Sequence, residues 1–258
     1  MKKRNPVTKV LVTIFILTAC GALMASFLGD RTDAAAKKSY VFKKYLKADD
    51  IKIHTAADSV VTLTGTVSEW SHRTLAEETV IGLPGVTRVE NKLDVTGGKP
   101  DETSDAWIAM KIRFVLMFHK DVSYLKTNVD VKEGVVALKG LALNDAQKEL
   151  TTEYASDVEG VKSVKNEMKV EHSKKTTVEK VGEYIDDASI TSQVKIALLF
   201  HKSTSVLKIK VETNNGVVTV SGIAKNSAER ELVGKLVENI KGVKTLKNNI
   251  TLEAVSMK

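Results

Sequence analysis

The chain has 258 residues, of which 28% are charged, 43% hydrophobic and 5% aromatic, a composition suited to two or three small globular domains and unlike a disordered or fibrous chain. Its formal charge of +7 is concentrated at the amino terminus: residues 1–19 carry Lys2, Lys3, Arg4 and Lys9 with no acid, and the remainder has only +3. So small an excess argues against a nucleic-acid partner. The single cysteine, Cys20, excludes an intramolecular disulfide and a cysteine metal cluster.

Taken in order, Met1 to Lys9 is a basic segment and Val10 to Leu17 an apolar one, the pattern of an export signal. Leu17-Thr18-Ala19-Cys20 resembles the lipobox of bacterial lipoproteins, which makes Cys20 the candidate lipid-modified residue. Two other readings stay open. Ala34-Ala35-Ala36 suits a cleavage site for ordinary secretion, and the uncharged stretch from Val10 to Leu28 approaches membrane-spanning length. All three place the body outside the cytoplasm: tethered to the outer membrane as a lipoprotein, soluble in the periplasm, or anchored in the inner membrane. Residues 1–36 are therefore read as signal and linker.

From residue 37 the sequence repeats. Glycines recur in pairs twenty residues apart, Gly65 with Gly85, Gly140 with Gly160, and Gly222 with Gly242, at offsets of 75 and 82 between copies. The same offsets align Asn91, Asn166 and Asn248, as well as Leu75, Leu150 and Leu232. Copies two and three also share Phe118-His119-Lys120 and Phe200-His201-Lys202. The copies span 37–97, 104–172 and 182–254.

The third copy shows the unit most clearly. Asp187 to Phe200 carries an apolar stripe at Ile190, Val194, Ala197 and Leu198, at helical spacing. Two alternating segments around Asn214-Asn215-Gly216 then predict a β-hairpin. Asn226, with Glu229 three residues on, predicts a capped second helix with Leu232, Val233, Leu236 and Val237 on its apolar face. Gly242 is expected to end that helix and a last strand to follow. Each copy is thus an α-β-β-α-β unit, and the chain is α+β: three tandem three-stranded sheets, each with two helices on one face. The first copy is degenerate, with a short first helix from Ser39 to Leu46, Glu69 at the cap position, and Ser59 in place of the hairpin glycine.

The glycine spacing and the run Gly-Glu-Tyr-Ile-Asp-Asp (182–187), Asn215-Gly216-Val217-Val218, Ser221-Gly222, Gly242-Val243 and Lys247-Asn248 resemble the BON family. That resemblance implies a non-enzymatic envelope protein, tied to envelope integrity under osmotic or other stress and to phospholipid attachment. It implies no cofactor.

The residues themselves carry no catalytic constellation. His54, His72, His119, His172 and His201 show no zinc spacing, and no nucleophile motif or phosphate loop is present. His119 and His201 fall where the first helix ends, a position that favours the helix dipole, and Asp186-Asp187 falls at a helix start. One feature distinguishes copy two. Opposite the stripe Ile108, Ile112 and Leu116, its first helix carries Trp107, Met110, Phe114 and Met117, flanked by Lys111 and Arg113. A helix apolar on both sides is either buried twice or exposed for a purpose. These residues either pack against another copy or bind an anionic phospholipid surface or an envelope protein, with self-association a further option. Lys241, Lys244 and Lys247 are additional candidates for attraction to anionic lipid, and a solvated surface is their other reading.

Overall fold

The computed structural model describes residues 31–56, 58–171, 184–204 and 207–253. Cys20, the rest of the export signal and the linker at 172–183 lie outside the described residues. Two compact units divide at Thr96 and Gly97: the first holds repeat 1, the second repeats 2 and 3.

Repeat 1 begins earlier than the expected boundary at 37. Residues 31–38 are helical (α1) and Ala36 is fully buried. Ser39 interrupts them and caps α2 (Tyr40–Lys44) through its hydroxyl. The helical start of this repeat is therefore two short pieces rather than one from Ser39 to Leu46. Strands β1 (Asp50–Thr55) and β2 (Val60–Val67) form an antiparallel hairpin, α3 (Trp70–Ile81) crosses over, and β3 (Arg88–Val95) pairs parallel to β2. Ser59 takes a left-handed φ of 64°, so a serine does the work of the absent hairpin glycine.

Repeat 2 comprises α4 (Asp105–Phe118), β4 (Thr127–Lys132), β5 (Val135–Ala142), α5 (Asp145–Ser156) and a third strand in two pieces, β6 (Ser163–Asn166) and β7 (Lys169–Val170). Repeat 3 comprises α6 (Asp187–Phe200), β8 (Ile209–Asn214), β9 (Val217–Ala224), α7 (Ser227–Glu238) and β10 (Thr245–Leu252). In each repeat the second strand is central, antiparallel to the first and parallel to the third. The alternation in β9 buries Val218, Val220 and Ala224 on the helix side, with Val233 and Val237 of α7 buried beside them.

The second helices of repeats 2 and 3 start on reciprocal caps. Asn226 Oδ1 accepts from Glu229 N (2.9 Å) while Glu229 Oε2 accepts from Lys225 N (2.8 Å); Asn144 and Gln147 do the same in repeat 2. Glu69 provides no side-chain cap for α3. The aligned asparagines strap the third strand to this helix: Asn91, Asn166 and Asn248 donate through Nδ2 to the carbonyls of Arg73, Lys148 and Arg230.

Gly242 does not end α7. The helix stops at Glu238 with Asn239 as its C-cap, and Gly242, at φ 90°, lies in the following turn. A Cβ there would come within 2.8 Å of Ile190, so the glycine serves close packing of that turn on α6. Gly222 bends the central strand at φ 153°, and a Cβ there would stand 2.5 Å from the Lys208 carbonyl oxygen. Gly222→Val is therefore expected to cost about 1–3 kcal/mol, through backbone strain and a clash with rigid backbone. An unchanged thermal unfolding midpoint would show that the position tolerates a side chain.

Candidate functional site

The doubled apolar face of α4 is taken up inside the second unit. Met110, Phe114 and Met117 are all buried, and the Phe114 ring lies 5.8 Å from that of Phe200 on α6 and 5.5 Å from Phe118. The stripe is the seam between repeats 2 and 3, which corrects the alternative of an open lipid or partner surface at these three residues.

The shared Phe-His-Lys sequence closes this seam reciprocally. His119 bridges to Ile240 and His201 to Val158. Lys120 N donates to Asn239 O (3.0 Å) and Lys202 N to Asp157 O (2.9 Å); Lys241 N donates to Phe118 O (2.9 Å) and Glu159 N to Phe200 O (3.2 Å). Every contact has its counterpart 82 residues away, so the two repeats meet through the same surface on each, as in an isologous dimer. The lysine side chains add to it: Lys120 Nζ donates to Val243 O and Lys241 Nζ to Met117 O. Lys241 is thus spent on the seam, and Lys244 donates to Asn215 O at the repeat-3 hairpin.

The two histidines sit at helix C-caps, as the sequence suggests, but burial outweighs the dipole. His119 is 1% exposed and stacks on Tyr154 with ring centroids 3.8 Å apart. Desolvation pushes its pKa down to about 4, against a hydrogen bond with the Asn239 backbone; Lys241 and His201 push it the same way as burial. His201 is also lowered by burial, with Asp157 opposing and Lys202 adding. Both rings are neutral near pH 7, and His119 Nδ1 and His201 Nε2 are buried without hydrogen bonds.

Trp107 and Lys111 go elsewhere. With Ile108, Glu133, Glu159 and Lys162 they line an open groove of about 800 Å³ at the start of α4. Trp107 is half-buried, with the Lys99 ammonium 5.6 Å from its ring centre. Lys111 is 5% exposed; burial lowers its pKa, and Glu159, whose carboxylate is 3.6 Å away, acts against that shift. Arg113 is half-buried. In repeat 3 the positions of Trp107 and Lys111 are held by Ser189 and Gln193, both fully buried.

Acidic residues at the helix starts do more than serve a dipole. Asp186 Oδ1 caps α6 at Ser189 N (3.0 Å), while Asp187 accepts from the hairpin amides of Asn215 and Gly216 (2.7 and 2.8 Å). Ser104 and Asp105 divide the same two tasks in repeat 2. Sequence reading missed the hairpin clamp, although an aspartate 29 residues before the hairpin glycine in both copies is a readable signal.

In the first unit, Asp49, Ser68 and His72 cluster. His72 Nδ1 lies 2.6 Å from Asp49 Oδ2 and 3.1 Å from Ser68 Oγ, and Ser68 N donates to Asp49 Oδ1. A nucleophilic relay needs the serine and the carboxylate on opposite ring nitrogens. Here both share Nδ1, and the cluster instead fastens the start of α3. Among the described residues there is no group of three His, Cys, Asp or Glu able to hold a metal ion, and no helix long and apolar enough to cross a membrane.

Comparison with known proteins follows the repeats. Residues 30–97, 104–172 and 186–254 each match the family model described as the BON domain. The chain is 29% identical over 163 residues to osmotically-inducible protein Y of Escherichia coli, covering 63% of this chain and 78% of that protein. It is 31% identical over 150 residues to a protein of the gshII 5′ region of Anaplasma centrale, covering 58% and 95%. Among solved structures, the C-terminal domain of CdsD, a structural protein of the type III secretion system of Chlamydia trachomatis, covers 85% of this chain and 96% of its own at 13% identity and a TM-score of 0.23.

Proposed function

This chain belongs to the BON domain family, and from that premise we propose that it is a non-enzymatic bacterial envelope protein that binds anionic phospholipid and supports envelope integrity under osmotic or other stress. The observation that carries the reading is the groove at Trp107. A half-exposed indole with the Lys99 ammonium over its ring and the exposed Lys162 in the same groove offers an amphipathic ring and two ammonium groups at a mouth that Glu102, Asp105, Glu133 and Glu159 also line. An indole flanked by lysines suits a headgroup boundary. Similarity to an osmotically-inducible protein supports the stress setting, and acylation at Cys20 would hold the body at the outer membrane. A second reading, a self-assembly scaffold, draws on the isologous seam, because a surface that pairs repeat 2 with repeat 3 can also pair repeats of two chains.

The test is co-flotation of residues 30–258 with vesicles. Phosphatidylglycerol vesicles are expected to carry the protein and phosphatidylcholine vesicles to leave it behind. Trp107→Ala with Lys162→Glu should weaken the association at least about fivefold, each lysine near the surface contributing about 1 kcal/mol. Lys162, which is exposed, is the charge to reverse, because Glu at the buried Lys111 would face Glu159 and disturb the fold. Flotation that ignores headgroup charge would sink the phospholipid reading, and association of the protein with itself instead would favour the scaffold.

A further inference from the structure

His119 and His201 hold equivalent places in the two halves of the seam, and the four backbone hydrogen bonds described across it are all made by their neighbours. Phe118 O and Lys120 N flank His119, and Phe200 O and Lys202 N flank His201. The rings share a cavity of about 10 Å³ with Val115, Val158, Ala197 and Leu236, room for one water at most. An imidazolium formed there has no hydration shell to draw on while the seam stays closed.

Hydrogen bonds fix each ring as neutral, in opposite tautomers. A bond to the Asn239 backbone favours the charged form of His119, so the group there is the carbonyl oxygen. Nδ1 is buried without a partner, which leaves Nε2 as the donor and Nδ1 as an unprotonated lone pair. In His201 the assignment is reversed: Ser203 N donates to Nδ1 (3.1 Å), so the proton sits on Nε2. A further proton would put an N–H on His119 Nδ1 with no acceptor, or on His201 Nδ1 against the Ser203 amide. Either leaves a buried donor unpaired.

The charges around the pair do not favour that proton. From the end of α5, Asp157 lies 3.8 Å from His201 Nε2, but Lys202 holds the same carboxylate at 2.9 Å. Glu159, two residues on, stands 3.6 Å from Lys111 instead. Lys120 Nζ and Lys241 Nζ reach the seam from the turns after α4 and α7, on Val243 O and Met117 O. Three ammonium groups thus stand against one carboxylate. Tyr154, stacked on His119, is kept un-ionised by burial, with Asp121 and Glu153 acting the same way. Burial lowers the pKa of both histidines, in line with this geometry.

We infer that His119 and His201 form a proton-operated latch: neutral, they keep repeats 2 and 3 closed on each other, and protonation of the pair parts the two repeats while each stays folded. Each repeat can stand apart because it has its own sheet and core. Val136, Leu138 and Ala155 are buried in repeat 2, and Val218, Val220 and Val233 in repeat 3. The seam is the part that gives way, since opening it is what brings water to the rings. The latch is independent of what the protein binds.

The experiment uses the full chain carrying Cys20→Ala, with spin labels on Lys139→Cys and Lys247→Cys, exposed positions on the two sheets. At pH 7 the label pair is expected to give one narrow distance distribution. Between pH 6.5 and 4, the ordinary and folded values for His119, it should broaden to longer distances while far-ultraviolet circular dichroism keeps its amplitude. His119→Leu with His201→Leu should hold the narrow distribution down to pH 4. His119→Gln with His201→Gln should do the same with polar side chains that gain no proton. A distribution that stays narrow in the unaltered seam at pH 4, labels that part in both variants as well, or loss of secondary structure together with parting each overturns the latch. Imidazole resonances of the chain without variants at the seam give a further check. Both rings should gain protons as the repeats part, and a ring that titrates while they remain closed overturns it too.

Discussion

Phe114→Ala is expected to destabilise the second unit by about 3–5 kcal/mol, as for other truncations of a fully buried aromatic ring. The ring is 1% exposed and lies between Phe118 of its own helix and Phe200 of the neighbouring repeat. Its removal opens a cavity at the seam that backbone hydrogen bonds on either side hold at fixed width, so the site cannot collapse to fill it. Repeats 2 and 3 should unfold together in the unaltered chain and separate into two transitions in the variant. Urea unfolding followed by probes in each repeat measures this. A double-mutant cycle with Phe200→Ala should show coupling of about 0.5–1.5 kcal/mol between the two rings. A loss below about 1 kcal/mol for Phe114→Ala, with the two repeats still melting as one, would mean that the ring does not hold the seam. Trp107→Ala is the contrast, since a half-exposed residue at a groove mouth should leave the unit folded.

Much of the fold was legible because each repeat is locally consistent. The limits of α6 at Asp187 and Phe200, the turn at Asn215-Gly216 and the cap at Asn226 all follow from short-range chemistry: a stripe at helical spacing, residues that accept positive φ, and a side chain that reaches an unpaired amide. What concerns two repeats at once was harder to read. The duplicated Phe-His-Lys was visible as a pattern, yet its reciprocal bonds join residues more than a hundred positions apart, a separation at which periodicity is silent. The second apolar face of α4 was likewise visible, and sequence could say that it needed a partner but not that repeat 3 supplies one. Lys111 shows the same limit from the other side. Its neighbours in sequence suggested a charge at the surface, whereas the groove wall and Glu159 enclose it.

Lowering the pH from 7 to 4 is expected to cost the second unit roughly 3 kcal/mol through His119, at 1.36 kcal/mol for each unit by which its pKa is displaced. The sign follows from which state holds the proton. His119 titrates at about 4 when folded and near its ordinary 6.5 when unfolded, so between these values the unfolded chain binds the proton and the folded chain does not. Stability is therefore full above about pH 6.5, declines as the pH falls through the window, and is no longer lost to this group below about 4. His201 acts in the same direction, because burial lowers it too. The groups facing the pair do little to rescue a proton. At His201, burial outweighs Asp157, which stands 3.8 Å from Nε2, and Lys202 opposes Asp157; at His119, burial outweighs the Asn239 backbone hydrogen bond, Lys241 and His201 add to burial, and Tyr154 offers a ring face. Carboxylates as a class ordinarily change charge near pH 4, so the informative measurement is a difference. Urea unfolding of the unaltered chain and of His119→Leu should diverge in slope between pH 6.5 and 4, with the variant flatter by most of the 3 kcal/mol. Parallel slopes would mean that His119 accepts its proton without leaving the folded seam, and the histidine pair would then be no more than packing.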